Sequence, residues 1–171
     1  VSDDVANISR AATVSRRFIP DPLRPMREFI LRARKAPTSP GFSLDNLPDA
    51  GHMEVVAACI SNAIFYSNHL REDTSISIVM EGGPDPPKTL RVDSGALGSL
   101  EGFDERSIAI LVQRALEAGK GLCLREERSV IDGVTIAKTA FEHLVQERDP
   151  RQLYYLSKKG ADIRDIELSD D

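Results

Sequence analysis

The sequence predicts an α/β fold with a largely parallel sheet, because segments with strand periodicity and segments with helical periodicity alternate along the chain. The composition agrees with one folded domain and a tail. Of 171 residues, 41% are hydrophobic and 29% are charged, as in soluble globular proteins. The formal net charge of −5 excludes a globally basic surface, the simplest route to nucleic-acid binding, but leaves room for a local basic patch.

The first 25 residues differ from the rest of the chain. They contain Pro20, Pro22 and Pro25 and show no apolar periodicity, and prolines at this spacing interrupt both helices and central strands. We therefore expect residues 1–25 to form a flexible extension and residues 26–171 to form the domain. No apolar run approaches the roughly 20 residues that a membrane-spanning helix needs, so we expect no membrane segment.

The spacing of apolar residues predicts the elements of the first half of the domain. Alternation over residues 27–34 predicts a strand with one buried face. Residues 52–70 carry an apolar stripe at three- and four-residue spacing, which predicts a long helix. The apolar run at residues 75–80 predicts a buried strand, and a short strand at 88–92 follows it. The loop between them, residues 81–87, is rich in proline and glycine.

The second half continues the alternation. Asp104 is a suitable N-cap for a helix over residues 105–118. Apolar residues then predict a strand at 133–137, a short helix at 139–146 and a strand at 153–156. The sequence ends in an acidic stretch.

Few residues suggest a metal or a nucleotide cofactor. Cys59 and Cys123 each lie in an apolar stretch, so we predict two reduced, buried thiols in a cytoplasmic protein rather than a disulfide. The sequence contains no Cys-x-x-Cys or His-Glu-x-x-His motif, and we expect no metal site. It also contains no P-loop, Gly-x-Gly-x-x-Gly or Gly-x-Ser-x-Gly motif.

Three polar regions are candidate sites, and each has a structural alternative. The loop at 81–87 follows a buried strand, and α/β sheets bind ligands at this position. The loop is therefore either a ligand site or a rigid connector. The cluster at 68–73 presents Arg71 and Asp73 together, or is a helix end with a solvated turn. The third region is a basic patch, whose function is either to contact phosphates or to prevent an edge strand from pairing. It comprises Arg27, Arg32, Arg34 and Lys35.

Three segments taken together resemble a known family. They are MREFILRARKAPT at 26–38, SNHLRED at 67–73 and LYYLSKKGADIRDI at 153–166. In this order and spacing they resemble the tRNA pseudouridine(54) N1-methyltransferase family, especially its bacterial branch, named "putative pseudouridine methyltransferase". No single motif is diagnostic, but the collinear set spans residues 26–171.

The resemblance implies a SPOUT-class fold, with a Rossmann-like, mostly parallel sheet flanked by helices and a C-terminal trefoil knot. It implies S-adenosylmethionine (SAM) as methyl donor, a homodimer, tRNA or another structured RNA as substrate, and no metal. In the family, strands beyond the position of Asp171 build most of the knot and of the donor pocket. We therefore expect a truncated knot, exposed apolar sheet edges and weak donor binding by these residues alone. Only Leu156 matches a position that lines that pocket.

The expected chemistry concerns N1 of pseudouridine. This base is joined to ribose through carbon, so N1 keeps a hydrogen that a carboxylate can accept, and an arginine can stabilise the developing charge. From the family's Arg-x-Asp motif we predict Asp73 as proton acceptor and Arg71 as the cation that binds base or phosphate. The alternative is an Arg–Asp pair that holds the loop. Where the family usually has an arginine after the Gly133 strand, this chain has Ala137 and then Lys138, which leaves the RNA target open.

Two other functions stay open at this point. One is a non-catalytic RNA-binding or dimerisation module of the same fold, and the other is an α/β domain that binds a small molecule and no RNA. RNA binding that weakens steeply with salt distinguishes the RNA functions from the latter.

Overall fold

A computed structural model describes residues 27–67, 69–98, 100 and 102–165. The predicted extension at residues 1–25 lies outside the described residues, and so does the end of the chain from residue 166. Seven strands are described, which are β1 (Arg27–Ala33), β2 (Phe65–Tyr66), β3 (His69–Leu70), β4 (Thr74–Met80), β5 (Lys88–Asp93), β6 (Glu127–Ile131) and β7 (Val134–Ala137). Three helices accompany them, which are α1 (Met53–Ile64), α2 (Glu105–Ala118) and α3 (Phe141–Gln146). Short 3-10 turns span Pro150–Gln152 and Ile163–Asp165.

The five-stranded sheet has the order β1-β4-β5-β7-β6. Only the β1–β4 pair is parallel, and the other three pairs are antiparallel. The α/β class is confirmed, but the prediction of a mostly parallel sheet is wrong. The reason lies in the connections and in the strand order. A parallel return needs a crossover of about a dozen residues or more. The connections that contain α1 and α2 are both long enough, but only the first joins strands that pair with each other, because β7 lies between β5 and β6 in the sheet. A proline-rich loop joins β4 to β5, and a tight turn with Gly133 at φ 77° joins β6 to β7.

The two long helices cover one face of the sheet, where their apolar stripes and alternate positions of β4, β5 and β7 form a single buried cluster. Helix α2 begins as predicted, because the Asp104 carboxylate accepts hydrogen bonds from the Ser107 backbone N–H (3.1 Å) and hydroxyl (2.6 Å). Helix α1 is shorter than predicted. It ends at Ile64 because Phe65 is extended (φ −110°, ψ 141°) and begins the β2–β3 hairpin. Each large aliphatic side chain buried in this cluster contributes about 1.5–3 kcal/mol.

The strands of the second half differ from the prediction in two places. Strand β6 was missed because its Glu127, Arg128 and Ser129 are exposed and polar, which is permitted at the edge of a sheet. The strand predicted at residues 153–156 is not formed. This segment is exposed, with Leu156 entirely accessible to solvent.

Both cysteines are free thiols, but only one is shielded from solvent. Cys59 on α1 is half-buried, and burial raises the pKa of its thiol. Cys123 is exposed, so the prediction that it is buried was wrong. It lies after the end of α2 between Leu122, which is buried in the core, and Leu124, which is 74% exposed, so only part of this apolar stretch is buried. No helix of the described ranges combines the length and the apolar character needed to cross a bilayer.

The face of the sheet opposite α1 and α2 carries a partly buried ion cluster. Glu28 on β1 accepts hydrogen bonds from Arg91 Nη1 (2.9 Å) and from Arg148 Nε (2.5 Å) and Nη2 (2.8 Å). Burial raises the pKa of the Glu28 carboxyl, but the hydrogen bonds and charges of Arg148 and Arg91 outweigh it, and the pKa is lowered. The cluster therefore fastens the segment after α3 to the sheet.

We expect Glu28→Gln to destabilise the fold by about 1–3 kcal/mol at pH 7, because two arginines lose a charged acceptor. A carboxyl with a lowered folded-state pKa stabilises the fold above its unfolded pKa, and this stabilisation is lost as pH falls through the folded value. The difference between wild type and variant should therefore shrink below about pH 4. Urea unfolding of both proteins at several pH values measures this difference in the free energy of unfolding. The exposed Glu117→Gln is the control, and a pH-independent difference would contradict the proposed linkage.

Candidate functional site

The predicted residues Arg71 and Asp73 lie in the connection between β3 and β4. The backbone N–H of Arg71 donates to the carbonyl of Ile64 (2.8 Å), which closes the hairpin against the end of α1. The carbonyl of Asp73 accepts from the N–H of Arg27 (2.9 Å), which joins the connection to β1. Both residues are therefore fixed by backbone hydrogen bonds to regular elements, although they lie in a loop.

The Asp73 carboxylate pairs with Arg27 rather than with its neighbour in sequence. Arg27 Nη2 lies 2.9 Å from Asp73 Oδ2, and the Thr74 hydroxyl donates to Oδ1 at 3.2 Å. The hydrogen bond from Arg27 is the main cause of a lowered pKa at Asp73, and burial opposes it. The Asp73 side chain remains 38% exposed. It is thus an ionised carboxylate, accessible at the surface and oriented by a cation.

The Arg71 side chain lies against the ring of Tyr66, with Cζ 5.3 Å from the ring centroid. Its Nε is buried and has no hydrogen-bond partner among the residues that the structure describes. Tyr66 itself is 68% exposed. The site therefore presents a cation with an unused donor beside an exposed aromatic ring, two residues from Asp73.

A third polar group, Asp93, lies at the same end of the sheet at the carboxyl end of β5. It is 4% exposed, its Oδ1 accepts from the N–H of Gly95 (3.0 Å), and its Oδ2 is buried with no hydrogen-bond partner in the described part of the chain. Ser94 bonds to the carbonyl of Thr74 through both its N–H (3.0 Å) and its hydroxyl (2.6 Å), so β5 ends beside the start of β4. Sequence reasoning missed Asp93, although the polar triplet that follows the predicted strand at 88–92 was a usable signal.

The opposite end of the sheet contains a groove of about 340 Å³ between the end of β1 and the start of α1. Its apolar wall includes Leu31, Ala33 and Val56, and its rim includes Arg34 and Lys35. We call this feature the β1–α1 groove.

The loop at 81–87, one of the predicted candidate sites, is held as a rigid connector. The Thr38 hydroxyl donates to the Gly82 carbonyl (2.8 Å) and accepts from the Asp85 N–H (2.8 Å). The Gly82 N–H donates to the Ala36 carbonyl (2.9 Å). These bonds use backbone groups of the loop to hold it against residues 36–38, and the contacts therefore favour the structural alternative.

Comparison with known proteins decides the family. Residues 26–171 match the sequence profile of a family described as "Putative SAM-dependent RNA methyltransferase". The chain belongs to this RNA methyltransferase family. The family suggested by the three segments at 26–38, 67–73 and 153–166 is thereby confirmed, and the match covers every element of the fold described above.

Relatives of this RNA methyltransferase have consistent names. The "Putative pseudouridine methyltransferase" of Vibrio atlanticus (strain LGP32) is 36% identical over 146 residues, which cover 85% of this chain and 73% of that protein. The protein of the same name from Vibrio cholerae serotype O1 is 37% identical over 144 residues, or 84% and 72% of the two chains. The tRNA (pseudouridine(54)-N(1))-methyltransferase of Methanocella arvoryzae is 37% identical over 145 residues, or 84% and 73%.

The predicted donor-binding residue of this RNA methyltransferase does not lie in a pocket. Leu156 is fully exposed and lines neither the β1–α1 groove nor a second cavity of about 90 Å³ beside α2. A cofactor of this size needs apolar walls that enclose most of its surface, with a few placed polar partners. The described residues do not form such a site around Leu156. Among them there is also no group of three or more His, Cys, Asp or Glu side chains placed to hold a metal ion.

Proposed function

We propose that this protein uses SAM to methylate N1 of pseudouridine in RNA, in the T-loop of tRNA, and that it acts as a homodimer in the cytoplasm. The family match over residues 26–171 carries the proposal. The names of the relatives support the choice of base, and the name of the Methanocella protein supports tRNA and position 54. A SPOUT-type knot, to which the segment around Leu156 contributes, belongs to the same proposal.

Asp73 is the proton acceptor in this proposal. The N1–H proton must leave if N1 is to keep a neutral ring after it gains a methyl group, and an ionised carboxylate within hydrogen-bond reach can take it. The pKa of Asp73 is lowered by Arg27, so the carboxylate is ionised at neutral pH. Arg27 fixes the orientation of Oδ2 and leaves the side chain partly exposed to an incoming base.

Arg71 is the cation that binds the base or a phosphate next to it. No described residue accepts a hydrogen bond from its Nε–H, and the two carbonyl oxygens that flank N3 of the base gain negative charge when N1 loses its proton. A donor placed near these oxygens stabilises that charge. Because Tyr66 holds the guanidinium from one side, the cation is positioned before RNA arrives.

The experiment that tests the function uses two T-arm stem-loop RNAs, one with pseudouridine and one with uridine at the target position. We expect 1-methylpseudouridine in the first RNA, detected by nucleoside mass spectrometry after incubation with protein and SAM. We expect no product in the second, because N1 of uridine is bonded to ribose and has no hydrogen to lose. Equal methylation of both RNAs would refute the proposal. RNA binding without methylation would support the non-catalytic RNA-binding module instead.

The predicted basic patch divides into two parts in the structure. Arg27 pairs with Asp73, and Arg32 pairs with Glu81 (2.9 Å) and Glu142 (2.9 Å). Arg34 and Lys35 are exposed at the end of β1, and no carboxylate of the described ranges pairs with either one. In a chain with an acidic balance, two adjacent unpaired cations beside a groove are suited to RNA phosphates.

We expect the double substitution Arg34→Gln and Lys35→Gln to weaken RNA binding and to lower its salt dependence. Each lost phosphate contact reduces the slope of log K against log salt by about 0.7–0.9, so the two together reduce it by about 1.5. Fluorescence anisotropy at several salt concentrations measures the slope. The control is the double substitution Arg106→Gln and Lys120→Gln, which removes the same charge. These two cations are already paired with Asp45 (2.8 Å) and Glu117 (2.7 Å). An unchanged slope in the first variant would exclude these phosphate contacts.

A further inference from the structure

The β2–β3 hairpin, formed by Phe65–Tyr66 and His69–Leu70, carries an exposed aromatic side chain at the predicted site. Tyr66 is opposite His69 in the hairpin register, and both are exposed. The hairpin projects from the end of α1 and returns directly into Arg71 and Asp73. An aromatic ring that is 68% exposed on a short hairpin contributes little to the core, so its free surface is available to a ligand.

Arg71 provides an independent observation at the same place. Its guanidinium packs on the Tyr66 ring, yet its buried Nε–H has no acceptor. No described residue accepts a hydrogen bond from this guanidinium. A buried donor without an acceptor is unfavourable unless a ligand supplies one. The ring and the cation therefore form a pair whose stacking surface and hydrogen-bond donor are both unused in the free protein.

We propose that Tyr66 and Arg71 form a base-stacking clamp for an unpaired nucleobase of the RNA loop. The base stacks on the exposed ring of Tyr66, and Arg71 donates to a carbonyl or phosphate oxygen of the same or the adjacent nucleotide. Aromatic rings and arginine planes recognise splayed bases of single-stranded RNA in this way. Asp73, two residues further along, then lies beside the bound nucleotide. This inference rests on the proposed function and adds the group that recognises the loop.

The test measures binding of an end-labelled T-arm stem-loop RNA by fluorescence anisotropy, without methyl donor. We expect Tyr66→Ala to weaken binding about 5- to 150-fold, the range found for loss of one stacked base. Tyr66→Phe keeps the ring and should bind within about twofold of wild type. Tyr66→Leu keeps apolar cover over Arg71 but lacks a π face, and should show the same loss as Tyr66→Ala. Leu124→Ala, which removes an exposed side chain 74% accessible to solvent, is the control.

A second RNA separates stacking from a structural role. A duplex with the T-arm stem sequence but no loop should bind wild type and Tyr66→Ala equally, because it offers no unpaired base. If Tyr66→Ala binds the stem-loop as well as wild type does, the clamp is wrong and the proposed function stands. If Tyr66→Ala is equally weakened on stem-loop and duplex, Tyr66 has a structural role and the clamp is also wrong. If the wild-type protein binds neither RNA, both the clamp and the proposed function are wrong.

Discussion

Replacing Asp73 with asparagine is expected to lower the rate of pseudouridine methylation about 100- to 10,000-fold, the usual contribution of a positioned proton acceptor. The amide keeps the size of the side chain and a hydrogen-bonding oxygen, but it cannot accept the N1 proton. Single-turnover methylation of a T-arm RNA, with enzyme in excess, measures the chemical step directly. RNA affinity should change much less than rate, because the substitution leaves Tyr66, Arg34 and Lys35 intact.

Stability measurements separate this catalytic role from the ion pair with Arg27. A solvent-exposed pair contributes about 0–1 kcal/mol, so Asp73→Asn should unfold within a few degrees of wild type. Arg27→Gln breaks the same pair and keeps the carboxylate. It should therefore reduce the rate far less than Asp73→Asn does. If the two variants lose activity equally, the ion pair itself is the important feature, and Asp73 is not the proton acceptor.

The second large effect is expected at Gly51, which precedes α1. Its φ is +71°, and a Cβ atom at this position would lie 2.0 Å from the carbonyl oxygen of Lys35. Gly51→Ala therefore adds left-handed backbone strain of about 1–2 kcal/mol to an overpacking cost of about 1–3 kcal/mol. We expect a loss of about 2–5 kcal/mol in the free energy of unfolding. Because the contact is with Lys35, the substitution should also displace the rim of the β1–α1 groove.

Gly41→Ala is the matched control for Gly51→Ala, because a Cβ atom at Gly41 would have no neighbour within 4 Å. It should change the unfolding midpoint by less than a degree or two, or raise it slightly by restricting the unfolded chain. Thermal unfolding of both variants gives the comparison. Equal midpoints for the two would show that the chain near Gly51 relaxes without cost. RNA binding by Gly51→Ala at a temperature where it stays folded then tests the effect on the groove.

Local signals in the sequence predicted the elements that depend on local interactions. Helix α2 is an example, since its N-cap Asp104 and its apolar stripe lie within one segment. Strand β4 is another, because a continuous apolar run has to be buried. The direction of the strands was not predicted correctly, because it depends on whether a connection such as residues 81–87 crosses over the sheet. The apolar segment at 153–156 was wrongly predicted to be a strand, because burial of a strand depends on partner strands that periodicity does not reveal.

The candidate site was predicted only in part, for a similar reason. Arg71 and Asp73 were proposed from a short motif, and the structure places both at the end of one hairpin. Their partners are not neighbours in the motif. Arg27 lies 46 residues from Asp73, and only the parallel register of β1 and β4 brings them together. Tyr66 was hidden inside a predicted helix, since the periodicity that predicts a helix over 52–70 does not show where the chain becomes extended.

The single parallel pairing has a consequence for the order in which the molecule assembles. Strands β4 and β5, and likewise β6 and β7, are joined by short connections, so each pair closes a small loop and can form early. Strand β1 reaches β4 only after the intervening chain, with α1, has been organised, which carries a larger loop-closure entropy. Amide hydrogens of β1 should accordingly exchange faster than those of β4 and β5. The arginine that orients Asp73 is therefore placed by one of the two long-range pairings of the sheet, the other being the pairing of β5 with β7.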